Sequence, residues 1–337
     1  MTKRAIFVLS LLLVLGVSGA ALAMELDARS YAMGGAYTAV VEDASAVYWN
    51  PAKIPDIRIT SLVFSAGLGS ENVEETLNAL EKITNQEELD KVEINAQGAM
   101  LAALSTRWVG VGVYGNLALD ASGEAVIDEM KPSEASAVAT ASARANGAVA
   151  LAKEFSKFNL GLAIKKVVDY RFEQTEDVDL FGSKSKSAEI IGDGFSTDLA
   201  FSTGLGKIAQ FGVVLQDIYS SLEYEKTLKT EGSEDEVTTY EDNLDPTIRA
   251  GVALRPGLGF TFSGDITNKG SLHLGAEKNL FWNGLSVRAG LASFDGVQEY
   301  RAGLGLNLLW VHLDLGVGFS SDSSTPAGAM LNASFSF

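Results

Sequence analysis

Segment after segment of this chain carries an apolar residue at every second position over about ten residues, the length of a membrane-crossing strand. In the last segment Ala329, Leu331, Ala333, Phe335 and Phe337 alternate with Met330, Asn332, Ser334 and Ser336. Upstream, Val311, Leu313, Leu315, Val317 and Phe319 alternate with His312, Asp314, Gly316 and Gly318. Ala302, Leu304, Leu306 and Leu308 stand against Arg301, Gly303, Gly305 and Asn307 in the same way. A period of two puts the apolar set on one face of a strand and the remainder on the other. A soluble sandwich also alternates, but its outer face is large and charged. Here the second face is mostly Gly, Ser and Asn, which suits a crowded inner wall with lipid on the outside. The pattern predicts an all-β transmembrane antiparallel β-barrel.

Fourteen strands are expected, at 59–68, 99–107, 109–118, 143–153, 158–171, 190–204, 208–219, 246–255, 257–267, 271–279, 284–293, 297–308, 311–320 and 327–337. The links after the first, third, fifth and seventh are long, and those after the even strands are short. Short periplasmic turns and long extracellular loops are the usual asymmetry of such barrels. Charge tests the same parity. The chain has 337 residues, 26 Lys+Arg, 43 Asp+Glu and a net charge of −17. Segments 70–97, 120–134, 170–189 and 222–245 carry −6, −4, −2 and −7, all on the side assigned to the exterior. The first of these loops is expected to be helical, with Asn72 and Glu75 at capping-box spacing ahead of Leu77, Leu80 and Ile83. Its apolar stripe would cover the barrel mouth or catch an apolar ligand.

Lys3 and Arg4, the apolar run from Ala5 to Val17 and the small residues ending at Ala23 read as a signal peptide, residues 1–23. Its loss would make the net charge −19, which equals the sum of the four acidic segments. No later apolar stretch is long enough for a membrane helix. The acidic balance argues against nucleic acid as a partner. With no Cys, and His273 and His312 the only histidines, no cofactor or metal site and no catalytic constellation is expected, so the chain reads as a non-enzyme. The GxGxxG at Gly110–Gly115 lacks a βαβ context and reads as glycine within a strand.

The segment between leader and first strand contains Met33-Gly34-Gly35-Ala36, Asp43-Ala44 and Tyr48-Trp49-Asn50-Pro51-Ala52. These pieces resemble the start of the FadL-like outer-membrane superfamily, which includes long-chain fatty-acid and hydrocarbon channels, and equally the related PorV- and TraF-type proteins. The resemblance implies that residues 24–58 form a plug, or hatch, inside a barrel of residues 59–337. It points to Met33, Gly34, Gly35, Asp43, Asn50 and Pro51 as the plug motif. It also implies residence in the cell outer membrane, among its lipid. Phe337 would be the terminal signal read by the outer-membrane insertion machinery. The implied function is passive, plug-gated uptake of small hydrophobic or amphipathic molecules. The alternative is a PorV-like accessory barrel acting through protein partners.

By parity, the charged residues facing the lumen are Arg249, Arg255, Asp265, His273, Glu277, Arg288, Arg301, His312 and Asp314. Two readings are open for them. They could form a salt-bridge lattice that holds the plug, or a path in which an arginine meets a ligand carboxylate.

Overall fold

The computed structural model describes residues 24–57, 59–70, 78, 91–126, 134–179, 182–206, 208–294, 297–321 and 326–337. The expected leader lies outside these residues. So do residues 71–90 of the expected helical loop, apart from Asn78, which is helical; its last part, 91–97, is strand rather than helix.

The alternating segments form strands as expected, and two short helices and a 3-10 turn precede them. The strands are β1 (Ser61–Gly69), β2 (Lys91–Ser105), β3 (Val109–Val126), β4 (Glu134–Glu154), β5 (Phe158–Asp179), β6 (Gly182–Leu205), β7 (Ala209–Thr230) and β8 (Glu236–Asp242). They continue with β9 (Thr247–Gly257), β10 (Phe260–Thr267), β11 (Leu272–Leu280), β12 (Leu285–Phe294), β13 (Val297–Leu308), β14 (Val311–Ser320) and β15 (Pro326–Ser336). Each pairs antiparallel with its neighbour, and β1 pairs with both β2 and β15, which closes the ring. At the seventh stave the wall passes from β7 directly to β9. Strand β8 pairs only with the upper part of β7, from Leu222 to Leu228. The barrel therefore has fourteen staves, and a fifteenth strand stands outside the ring.

The outward face is the apolar one. Phe64, Leu68, Met100, Ile164, Phe262, Leu304, Leu315 and Leu331 are all exposed, while their sequence neighbours face inward and are buried. Every backbone donor and acceptor in a closed ring is satisfied by an adjacent strand, which is what a hydrocarbon environment demands. No described helix is long and apolar enough to cross a membrane.

The expected strand limits on the later side hold closely, but β2 to β7 run far beyond theirs. Three of the four acidic segments expected to be loops are largely strand. β3 extends to Val126, β5 to Asp179, and β7 continues to Thr230 before turning back as β8. Above the bilayer the outer face of the sheet meets water while the inner face stays partly buried, as at Leu222, Tyr224, Ala137 and Ala139, so the apolar outer set that marks a strand in lipid disappears. Pairing across the ladder, not hydrophobic patterning, keeps these stretches extended. The result is a tall wall of 21–24 residue strands over β4–β7, opposite a low wall of 8–12 residues over β9–β15.

The N-terminal segment lies inside this ring. It comprises α1 (Ala28–Ala32), α2 (Ala46–Trp49) and a 3-10 helix (Pro51–Asp56). Asp27 caps α1 by accepting from Ser30 N at 2.8 Å, and Asn50 Oδ1 accepts from Ala52 N at 3.1 Å to start the 3-10 turn. Helix α1 rests on β12 to β15, and the 3-10 helix rests on β4, β5 and β6 across the lumen. The segment supplies the bulky side chains of the interior, Tyr37, Trp49, Val40, Val47 and Ile54. The wall opposite supplies mainly small ones, Ala103, Ala148, Ala150 and Ala163. Burial of the segment's large apolar groups against a small-residue wall is the main packing term that holds it.

Candidate functional site

Polar groups inside the ring are joined to the segment in a chain that begins at α1. Arg29 makes two bonds to Glu277 of β11, Nε to Oε2 at 3.0 Å and Nη2 to Oε1 at 2.9 Å. Glu277 Oε2 also accepts from Arg288 Nε of β12 at 2.6 Å. Arg288 Nη1 then donates to Asp314 Oδ1 of β14 at 2.6 Å, and Asn332 of β15 completes the row by donating to Asp314 Oδ2 at 3.2 Å. Arg288 reaches β14 by passing over β13. It can do so because Gly305 stands there: a Cβ at that position would lie 2.5 Å from Asp314 Oδ1 and 2.7 Å from Arg288 Nη1. Charges buried in this way are tolerable only when each is paired.

A second group surrounds Arg301 of β13. It pairs with Glu25 at 2.5 Å and Glu299 at 2.6 Å, and its guanidinium lies 4.4 Å from the ring centre of Tyr31. Arg255 of β9 reaches Glu42 at 2.6 Å. Asp265 of β10 receives the backbone N–H groups of Tyr37 and Thr38 at 3.1 and 2.9 Å. His273 of β11 has one ring nitrogen 2.7 Å from Gly34 O and the other 3.1 Å from Ser271 Oγ. At Gly34 the segment's backbone meets the wall directly. Its φ is +66°, and a Cβ would lie 2.6 Å from both Leu291 N and Leu291 O.

The motif residues serve as internal supports. Met33 and Gly34 press on β11 and β12. Gly35 lies beside Glu25 and His273. Asn50 donates to Thr38 O at 2.8 Å, and Pro51 opens the 3-10 turn. Asp43 accepts from Ser45 N at 2.9 Å, and burial raises its pKa. Asp27 accepts from Trp49 Nε1 at 2.5 Å. Burial, with Asp43 nearby, pushes its carboxyl up to about 7.

Two of the lumen residues expected from parity stand apart. Arg249 of β9 lies over the Trp49 ring at 4.7 Å and has no ion-pair partner among the described residues. His312 is half-buried near the short-turn end and makes no bond to the lattice. Sequence parity did not find Glu25, Arg29 and Glu42, which supply the segment's side of the bonds. The signal was available, because they are charged residues in a segment that the resemblance places inside the barrel. Nor did parity find the buried Lys165 of β5, which pairs at 2.7 Å with both Asp198 of β6 and Asp217 of β7. Asp217 sits at a bulge where β7 leaves β9, a register detail that only pairing defines.

At the short-turn end, beside the end of the 3-10 helix, there is a polar pocket of about 490 Å³. Lys53, Asp56, Asn159, Ser202, Gln210 and Phe211 contribute to its lining.

No protein-family model matches this chain, and no curated protein matches it. Solved structures do. The Pseudomonas putida toluene transporter TodX matches with a TM-score of 0.63 at 9% identity, over 93% of this chain and 99% of that one. A Pseudomonas aeruginosa FadL homologue matches with a TM-score of 0.61 at 9% identity, over 93% and 98%. The CymD monoaromatic hydrocarbon channel matches with a TM-score of 0.56 at 12% identity, over 94% and 98%. At such identities the likeness is one of fold: this chain has the barrel fold of FadL-type hydrocarbon channels along nearly its whole length.

Proposed function

We propose that this barrel is an outer-membrane channel for passive uptake of small hydrophobic or amphipathic molecules, with residues 24–57 acting as its plug. The observation that carries the reading is the way the lumen is filled. Over β2 to β5 the wall's own inward side chains are mainly small, and the space is taken by a separate segment. That segment is tied to the wall by ion pairs and hydrogen bonds, which can exchange for water or ligand contacts as a backbone ladder cannot. The pocket at the end of the 3-10 helix supplies a polar exit toward the short turns. Arg249 faces the Asp265 carboxylate without forming an ion pair among the described residues; it is suited to an amphiphile's acidic head, and the Trp49 ring beside it to an apolar tail. The proteins of like fold are described as carriers of toluene and monoaromatic hydrocarbons, which supports an apolar cargo.

The continuous row Arg29–Glu277–Arg288–Asp314 favours a second reading, an accessory barrel whose plug is locked and whose partners are proteins. Flux separates the two. Purified protein in liposomes should raise entry of labelled fatty acid or toluene above that of empty vesicles. Arg249→Ala should reduce the fatty-acid rate severalfold and leave toluene nearly unchanged. Deleting residues 24–57 should open large ion-conducting steps in planar bilayers. Absence of cargo-dependent flux, with the deletion conducting, would leave the accessory reading.

A further inference from the structure

The turns at the short-turn end divide into two kinds. On the tall side they are mixed: Trp108, Phe155 and Ile208 are exposed by only 39–55%, beside an exposed Ser156 and the pair Arg107–Glu154 at 3.1 Å. On the low side the tips carry Leu258, Phe281, Trp282, Leu309 and Trp310. Trp282 is 99% exposed, and Leu258 and Leu309 are each 89% exposed. Leu258, Phe281, Trp282 and Leu309 have φ between +48° and +56°, a conformation that large side chains enter only with strain. At the other end of the same low wall the β10–β11 link is Asn268-Lys269-Gly270, with glycine in the left-handed position. Among the described residues, bulky apolar groups are thus kept at strained positions at one end only.

The strands explain the division. β10, β11 and β12 have 8, 9 and 10 residues. At the usual tilt, eight residues rise about 20 Å, short of the roughly 25 Å apolar band of such barrels. The low wall cannot cross the band unless its turns enter it or the bilayer thins to meet them. The apolar tips are continuous with the lipid-facing surface of Phe260, Phe262, Leu304 and Leu306.

We propose that the turns after β9, β11 and β13 are immersed in the periplasmic leaflet, so that lipid and not water covers Leu258, Phe281, Trp282, Leu309 and Trp310, and the barrel is seated deeper on its low side. Tryptophan at two of these tips suits the interface between headgroups and acyl chains.

The chain lacks cysteine, so one introduced thiol reports one place. Spin labels would be attached to Trp282→Cys and Leu309→Cys, in separate turns, and to Ser156→Cys on the tall side. The full-length barrels would be reconstituted in phosphatidylethanolamine/phosphatidylglycerol vesicles, and each variant would be checked for its heat-modifiable folded band. At 282 and 309 the label should collide more readily with oxygen than with a water-soluble nickel chelate, and at 156 the ratio should reverse. Should either variant fail to insert, the other gives the result alone. Labels at 282 and 309 as open to the nickel chelate as that at 156 would overturn the proposal. The rim would then be a water-facing surface for a periplasmic protein or a second copy.

Discussion

Among single residues, Gly305 shows how one absent side chain organises several present ones. Its inward position on β13 is the gap through which Arg288 reaches Asp314, two strands away. Gly305→Ala should force the two charges apart and leave both buried with weakened pairing. The cost should be about 3 kcal/mol, visible as a lower temperature for loss of the heat-modifiable band. An unchanged temperature would mean that the row contributes little. Asp27 tests the segment itself. Its carboxyl is pushed up to about 7 by burial, against about 3.9 in an unfolded chain. Folding therefore favours the protonated form. That contribution is complete below about pH 4 and is lost as pH rises through about 7. Stability should fall across that interval, and Asp27→Asn should flatten the fall. An identical slope in the variant would place the titration elsewhere. Both positions show the reach of parity reading: Arg288 and Asp314 could be assigned to the lumen from alternation, but their meeting across a glycine could not.

Among elements, the contrast is between strands in lipid and strands in water. The staves from β9 to β15 were legible almost to the residue, because lipid on one side and a packed lumen on the other impose strict alternation. The upper parts of β3 to β7 and all of β8 were not, because water on the outer face removes the penalty that makes that face apolar, even where the inner face stays buried, as at Leu222 and Tyr224. Glu223, Glu225 and Glu241 look like loop residues, yet they stand in a paired ladder. Since β8 touches the ring only through β7, the hairpin tip should be dispensable for closure. Removing residues 225–239 and joining the ends with an Asn-Gly turn should leave a barrel with the same heat-modifiable shift. Loss of that shift would show that the hairpin is needed to assemble the wall.

For the whole molecule, the four acidic segments acquire a shape. In three of them the described residues extend the wall at one end of the barrel, and the exposed apolar rim lies at the other end under the low wall. The chain by itself determined the closed antiparallel barrel, its fourteen staves, the two faces of the later strands and the polar, acidic character of the long links. These follow from a solvent that penalises every unpaired backbone group and every misplaced charge, so they are written locally, residue against neighbour. Tertiary structure alone decided which lumen charges meet, how the segment threads between them, where β7 leaves β9, and that the wall is tall on one side and low on the other. Those depend on register and on contacts between residues hundreds of positions apart, such as Arg29 and Glu277, for which a period of two contains no information.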